Sequence, residues 1–138
     1  ITRNTTATDA KTTTRGSDIF ELKMSTKGTW NSPKIIKNKT INTSYFDGSA
    51  TVTADGNTMY FVTDRKGDKS STDIYVVEKN GKKWGSAKPL PMTINTKGRE
   101  TTPFITPDGR YLFFMWASVV LIFMWLKIWV ILGENLLT

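Results

Sequence analysis

An all-β repeat protein is predicted by three observations. Residues 41–61, INTSYFDGSATVTADGNTMYF, overlay 94–114, INTKGRETTPFITPDGRYLFF, without a gap at an offset of 53 residues. The spacing returns farther out with a residue or two of slack, carrying Trp30 to Trp84 and Asp18-Ile19-Phe20 to Asp73-Ile74-Tyr75. Within each copy, short runs rich in β-branched and aromatic residues alternate with Asp-Gly or Asn-Gly dipeptides, which is the grammar of strands and tight turns. A period near 50 marks units that bury their apolar faces only against neighbours.

Residues 1–16 are Thr-rich and almost free of apolar side chains, so they are expected to be linker. Residues 17–46 form a partial unit, 47–99 a complete one and 100–114 the start of a third. The chain thus reads as a piece of a longer repeat protein, marginal or aggregating by itself. Ser49 to Thr53 is the first strand of the complete unit, and Asp55-Gly56 is expected to supply the positive-φ pair of a two-residue hairpin turn. Thr58 to Thr63 is the second, apolar on both faces as in a sheet covered from both sides. After the polar loop Asp64 to Thr72, Asp73 to Glu78 is the third, and Asn80-Gly81 turns the chain into a fourth that opens at Trp84. Pro89 and Pro91 end it and make it an edge, because proline cannot donate to a central ladder. Four short strands with an outer edge, stacked face to face with their neighbours, describe a propeller blade.

Composition narrows the function. With no Cys and no His the chain lacks thiolate ligands, disulfides and the commonest general base and metal ligand. The net charge of +7 permits anionic partners, but Lys82-Lys83 is the one adjacent lysine pair and the remaining lysines are scattered over turns. Nucleic acid is therefore not expected as a partner, and Tyr60, Phe61, Phe113 and Phe114 belong to strand patterns rather than to a stacking platform.

Thr53-Ala54-Asp55-Gly56 with Met59-Tyr60-Phe61, and Thr106-Pro107-Asp108-Gly109 with Leu112-Phe113-Phe114, resemble the Ser-Pro-Asp-Gly and Leu-Tyr-Phe core of TolB-like, WD-repeat-like β-propeller repeats. The run Lys83-Trp84-Gly85-Ser86-Ala87-Lys88-Pro89-Leu90, followed by Glu100-Thr101-Thr102-Pro103-Phe104, is similar to propeller segments of Bacteroidota envelope proteins of the OmpA family. The resemblance covers about residues 17 to 114. It implies a β-propeller fragment, a non-catalytic interaction scaffold in the periplasm or outer membrane, and a protein or envelope-polymer partner. It implies no cofactor. The alternative class is the propeller gating domain of a serine peptidase, whose Gly-x-Ser-x-Gly elbow does not occur in this chain.

Residues 115–138 break the pattern. Leu112 to Leu132 carries one charge, Lys127, and as a helix rising about 1.5 Å per residue it would be long enough to anchor a β protein in a bilayer. That run starts inside an assigned strand, and a reading-frame shift near Met115 is the preferred expectation. Read from the third base of each codon, Leu121-Ile122 permits Asp and Ile122-Phe123 permits Ile. Phe123-Met124 encodes only Tyr or His, Met124-Trp125 only Val and Trp129-Val130 only Gly, rebuilding Asp73-Ile74-Tyr75-Val76 and Gly81. An unusual terminal strand is the third expectation. A membrane partner follows only if the segment 112–132 is genuine.

Most polar residues have structural readings. Asp55-Gly56 and Asp108-Gly109 are turn pairs in equivalent places, not an acid-base couple. Asp18 and Asp73 are expected to fix the loop before the third strand, and Trp30 and Trp84 to share one packing role. Asp64 and Asp68 lack the ligand spacing of a calcium loop, and no metal is assigned. The remaining candidates for binding are Asp47 and Glu100, expected to be exposed on one rim, and Arg65, Lys66 and Lys69 in the adjoining loop.

Overall fold

The computed structural model describes residues 2–4, 17–65, 71–118 and 125–132, and these are all-β, with no helix. Three antiparallel sheets follow one another along the chain. Sheet I is β1 (Thr2–Asn4), β2 (Ser17–Glu21) and β3 (Lys34–Ile35), in that order. Sheet II runs β4 (Asp47–Val52), β5 (Thr58–Thr63), β6 (Asp73–Asn80) and β7 (Lys83–Trp84), with β8 (Lys88–Pro89) also on β6. Sheet III is β9 (Arg99–Ile105), β10 (Tyr111–Ser118) and β11 (Trp125–Leu132), with β10 central.

The 53-residue offset is an offset of backbone as well as of sequence. Gly56 and Gly109 both take a φ of 71°. In both turns the Gly N–H donates to a threonine carbonyl three residues back, at 2.8 Å. Thr53 N donates to Thr58 O and Thr106 N to Tyr111 O, so each loop holds four residues, not the expected two. Asp55 is not left-handed, which excludes the two-residue turn, and its carboxylate instead accepts from Thr53 Oγ1 and from Asn57 N. β4 and β9 also share a feature no pattern revealed: Ser49 and Thr102, 53 apart, both have a φ of 47° at a bulge in the ladder. A non-glycine residue held there is strained, and its recurrence makes the bulge part of the repeat.

Sheet II is buried on both sides, as the apolar sequence of β5 requires. One face, here A, presents Tyr60, Val62, Ile74 and Val76 with Leu90 and Ile94, and meets Ile105, Leu112 and Phe114 of sheet III. The opposite face, B, presents Met59, Phe61, Tyr75 and Val77 and meets Ile19 and Ile41, with Ile36 against them. Both contacts are one contact. Ile19, Ile36 and Ile41 are the repeat counterparts of Ile74, Leu90 and Ile94, and Met59 and Phe61 those of Leu112 and Phe114. An A face therefore packs on a B face twice in the same sense. Sheet I keeps the registers of the outer part of sheet II: Phe20↔Ile35 stands for Tyr75↔Pro89, and the Met24↔Trp30 bridge for Lys79↔Trp84.

Three further expectations are corrected. The stretch 1–16 is not linker throughout, because Thr2–Asn4 pairs with β2 from Thr2↔Ile19 to Asn4↔Ser17. The fourth strand is split into β7 and β8, with Gly85 N donating to Glu78 O at the break. No continuous helix runs through Leu112 to Leu132, because Tyr111–Ser118 and Trp125–Leu132 pair as a hairpin from Tyr111↔Leu132 to Ser118↔Trp125. Among the described residues no helix is long and apolar enough to cross a membrane, which leaves crossing by strands unaddressed.

Candidate functional site

The rim predicted from sequence lies where β4 and β9 begin, and there the structure turns candidate ligand-binding groups into fastenings. Asp47 and Glu100 are both 0% exposed, contrary to the exposed rim expected of them. The reason is local. Asp47 Oδ2 accepts from the backbone N–H and the hydroxyl of Thr43, each at 2.6 Å. Glu100 Oε1 accepts from the same two groups of Thr96, at 3.2 and 2.6 Å. Each carboxylate closes the Ile-Asn-Thr turn that precedes it, so the recurring motif and the acid four residues on form one device.

Arg65 is likewise not free for a partner. Its guanidinium bonds Asp47 Oδ1 at 3.0 Å, donates to Thr40 O at 2.8 Å and Thr63 Oγ1 at 3.1 Å, and lies 4.3 Å from the Tyr75 ring centroid. It neutralises the buried Asp47 and ties sheet II to the preceding turn. Lys66 and Lys69 lie outside the described residues.

Glu100 lacks the equivalent of that arginine. The residue 53 positions after Arg65 is Ser118, and Trp116 stands where Thr63 does, its indole N–H donating to Thr96 Oγ1 at 2.6 Å. Glu100 Oε2 is buried with no hydrogen-bond partner among the described residues. Burial raises the Glu100 pKa, the Thr96 hydrogen bonds oppose this, and the Asp73 charge adds to the rise. The folded protein thus holds this proton to higher pH than the unfolded chain does. The group's stabilising contribution is complete below the unfolded pKa and is lost as pH rises through the folded one. Glu100→Gln keeps the acceptor for Thr96 and removes the desolvated charge. It should raise stability at neutral pH by about 1 kcal/mol. In urea unfolding across pH the gain should shrink as the solution is acidified; a pH-independent difference would refute the assignment.

The motif's asparagine was missed in the sequence. Asn95 accepts from Ile74 N at 2.8 Å and donates to Ile74 O at 2.9 Å and Leu90 O at 3.1 Å. Asn42 makes the same set with Ile19 N, Ile19 O and Ile36 O. Each asparagine locks the third strand of its unit to the segment that follows the fourth. The identity of Ile-Asn-Thr in otherwise diverged copies was the signal.

The other candidates are placed as follows. Asp55 and Asp108 sit fully in solvent in their turns, and the hydroxyls of Thr53 and Thr106 lead in holding their carboxyls below the usual range. Asp73 is buried at the head of β6, and Asp18 is half-buried on β2. Trp84 packs against the B-face core, with Lys79 Nζ 4.7 Å from its ring. Trp30 is 63% exposed, so the shared packing role is not met for it, because among the described residues no further sheet covers that side of sheet I.

An open groove of about 650 Å³ follows the outer edge of β6 between Glu78, Lys79, Ser86 and Lys88. Its lining includes two lysines, Lys79 and Lys88, and one carboxylate, Glu78. Among the described residues no group of three His, Cys, Asp or Glu side chains is placed to hold a metal ion. No protein-family model matches the chain, and comparison with curated proteins finds no relative.

Proposed function

We propose that the chain is a β-propeller segment, with 47–99 as one complete four-stranded blade between parts of two others, and that it serves as a non-catalytic interaction scaffold of a bacterial cell-envelope protein. The observation that carries this reading is the repeated A-on-B packing, in which the same residues at offsets of 53 to 55 recreate one sheet contact. Sheets related in that way stack radially and turn their connecting loops toward a rim, where binding varies without cost to the core. Asp47 and Glu100, the acids of the expected rim, are engaged in closing turns, and Arg65 is held on Asp47. The envelope setting comes from the resemblance of the repeat.

The test spares Arg65, whose removal would damage the fold, and changes Lys66→Glu with Lys69→Glu. Co-sedimentation with purified peptidoglycan sacculi and cross-linking to envelope extract should both be measured, beside a far-UV spectrum. Capture by one of the two probes should fall several-fold with the β spectrum unchanged. Undiminished capture would remove the loop as the contact surface. A wild-type chain that neither probe retains would sink the envelope reading itself.

A further inference from the structure

Gly56, Gly81 and Gly109 each follow an acid or an amide in a hairpin turn, and each has a positive φ. Gly56 and Gly109 spend their N–H groups on Thr53 O and Thr106 O, each at 2.8 Å, and the carboxylate before each accepts from a threonine hydroxyl. The turn at Gly81 is built otherwise. Asn80 pairs with Lys83, so Gly81 and Lys82 are the two residues of a tight loop, with Gly81 at a φ of 62° and Lys82 not left-handed. Such a turn closes through the N–H of its fourth residue on the carbonyl of its first, and the glycine N–H takes no part in it.

Asn80 and Gly81 are exposed, and a Cβ built on Gly81 would meet nothing within 4 Å. Asn38, Asn42, Asn57 and Asn95 instead donate from Nδ2 to acceptors in the fold, and none of them precedes a glycine. Asn31 is exposed but precedes Ser32, whose Cβ crowds the following nitrogen.

We infer that Asn80 is a self-modification site, at which the Gly81 nitrogen attacks Asn80 Cγ. The C–N bond forms as Gly81 N gives up its proton, the Cγ–Nδ2 bond breaks, and Nδ2 leaves with a proton as ammonia, leaving a cyclic imide. Water then opens the ring. Breaking the Cγ–N bond gives an aspartate at position 80, and breaking the backbone C–N bond gives an isoaspartate; the net change consumes one water and releases one ammonia. Either product brings a carboxylate to the groove that Asn80 and Gly81 line with Glu78, Lys79 and Lys88. The isoaspartate also adds a carbon to the backbone where the hairpin closes, which loosens the Asn80↔Lys83 pair. The strand leaving that turn carries Trp84 O and Gly85 O, the acceptors of Asn38 Nδ2 from the preceding unit, so the change falls beside a tie between sheets.

Incubation of the intact chain at mildly alkaline pH, read by peptide mass mapping and by methyl labelling with protein isoaspartyl methyltransferase, tests this. Position 80 should gain the mass of amide-to-acid conversion several-fold faster than any other described asparagine. Its rate should fall in mild acid, because the attacking nitrogen must lose its proton. Asn80→Gln, whose extra methylene demands a larger and slower ring, should leave position 80 unlabelled and the far-UV spectrum unchanged. Positions 55 and 108 should stay free of isoaspartate in the folded chain. Earlier conversion of another described asparagine would overturn the inference, as would an Asn80 that stays intact when folded yet converts in urea. Isoaspartate appearing at 55 or 108 as fast as at 80 would overturn it too, since the glycine N–H bonds would then make no difference.

Discussion

Arg65→Ala should be among the most damaging single substitutions in this chain, lowering the free energy of unfolding by about 3–5 kcal/mol, the range for removing one partner of a buried ion pair. Asp47 is 0% exposed and would keep only the Thr43 groups on Oδ2, leaving Oδ1 charged and without its guanidinium. Thr40 O and Thr63 Oγ1 would lose a donor, and the Phe61 and Tyr75 rings the cation lying over them. Arg65→Lys should recover only part of the loss, since a single amine cannot serve Asp47, Thr40 and Thr63 together. Pairing Arg65→Met with Asp47→Asn should be milder than Arg65→Ala, because no buried charge is then left alone. Urea denaturation of the four proteins measures this. An Arg65→Ala loss under about 1 kcal/mol, the level of a surface ion pair, would place the guanidinium in solvent and contradict the geometry.

Asn95→Asp should be comparably severe at neutral pH. The amide donates to Ile74 O and Leu90 O, and a carboxylate in its place would set a negative oxygen against two carbonyl oxygens in a buried site. A loss of about 3 kcal/mol or more is expected, because two acceptors go unsatisfied and a charge is desolvated. Asn42→Asp alters the same bonds in sheet I, but Asn42 is half-buried and water can answer there, so its effect should be smaller. Leu90 N, bonded to Ile74 O, should exchange its hydrogen faster in Asn95→Asp than in the wild type. Equal stability losses at positions 42 and 95 would mean that burial does not set the cost.

The strands were legible because their signals are local. Thr58 to Thr63 is apolar at every inner position and is buried on both faces as read, and Asp-Gly marked both hairpins. The loop length was misread because Asp-Gly is shared by two-residue turns and by four-residue turns with glycine in the left-handed place; hydrogen bonds from Thr53 and Thr106 decide between them. The rim was misread for a different reason. An acid in a polar stretch reads as exposed unless its partner is known, and Arg65 reaches Asp47 from 18 residues away, a distance that no periodicity encodes. Asn42 and Asn95 look like turn residues in sequence, and only the return of the chain beside Ile19 and Ile74 makes them clamps. Trp30 shows the limit from the other side: its repeat counterpart is covered, but covering depends on a neighbour, and sequence equivalence does not supply one.

The asparagine clamps also bear on the order in which the chain acquires its shape. Asn95 closes on Ile74 across 21 residues and Asn42 on Ile19 across 23, whereas contacts between sheets are longer, 30 for Ser17 Oγ to Asp47 O and 54 for Ile105 N to Thr51 Oγ1. Short closures carry a smaller entropic penalty and form sooner. On a ribosome adding about 5–20 residues per second, the outer corner of each unit can be tied within seconds of leaving the exit tunnel. Growth of the protein would then be vectorial. Each new sheet would settle on a platform already fastened at its far edge, and the apolar face awaiting its neighbour would belong to a pinned surface rather than to loose strands open to misregister.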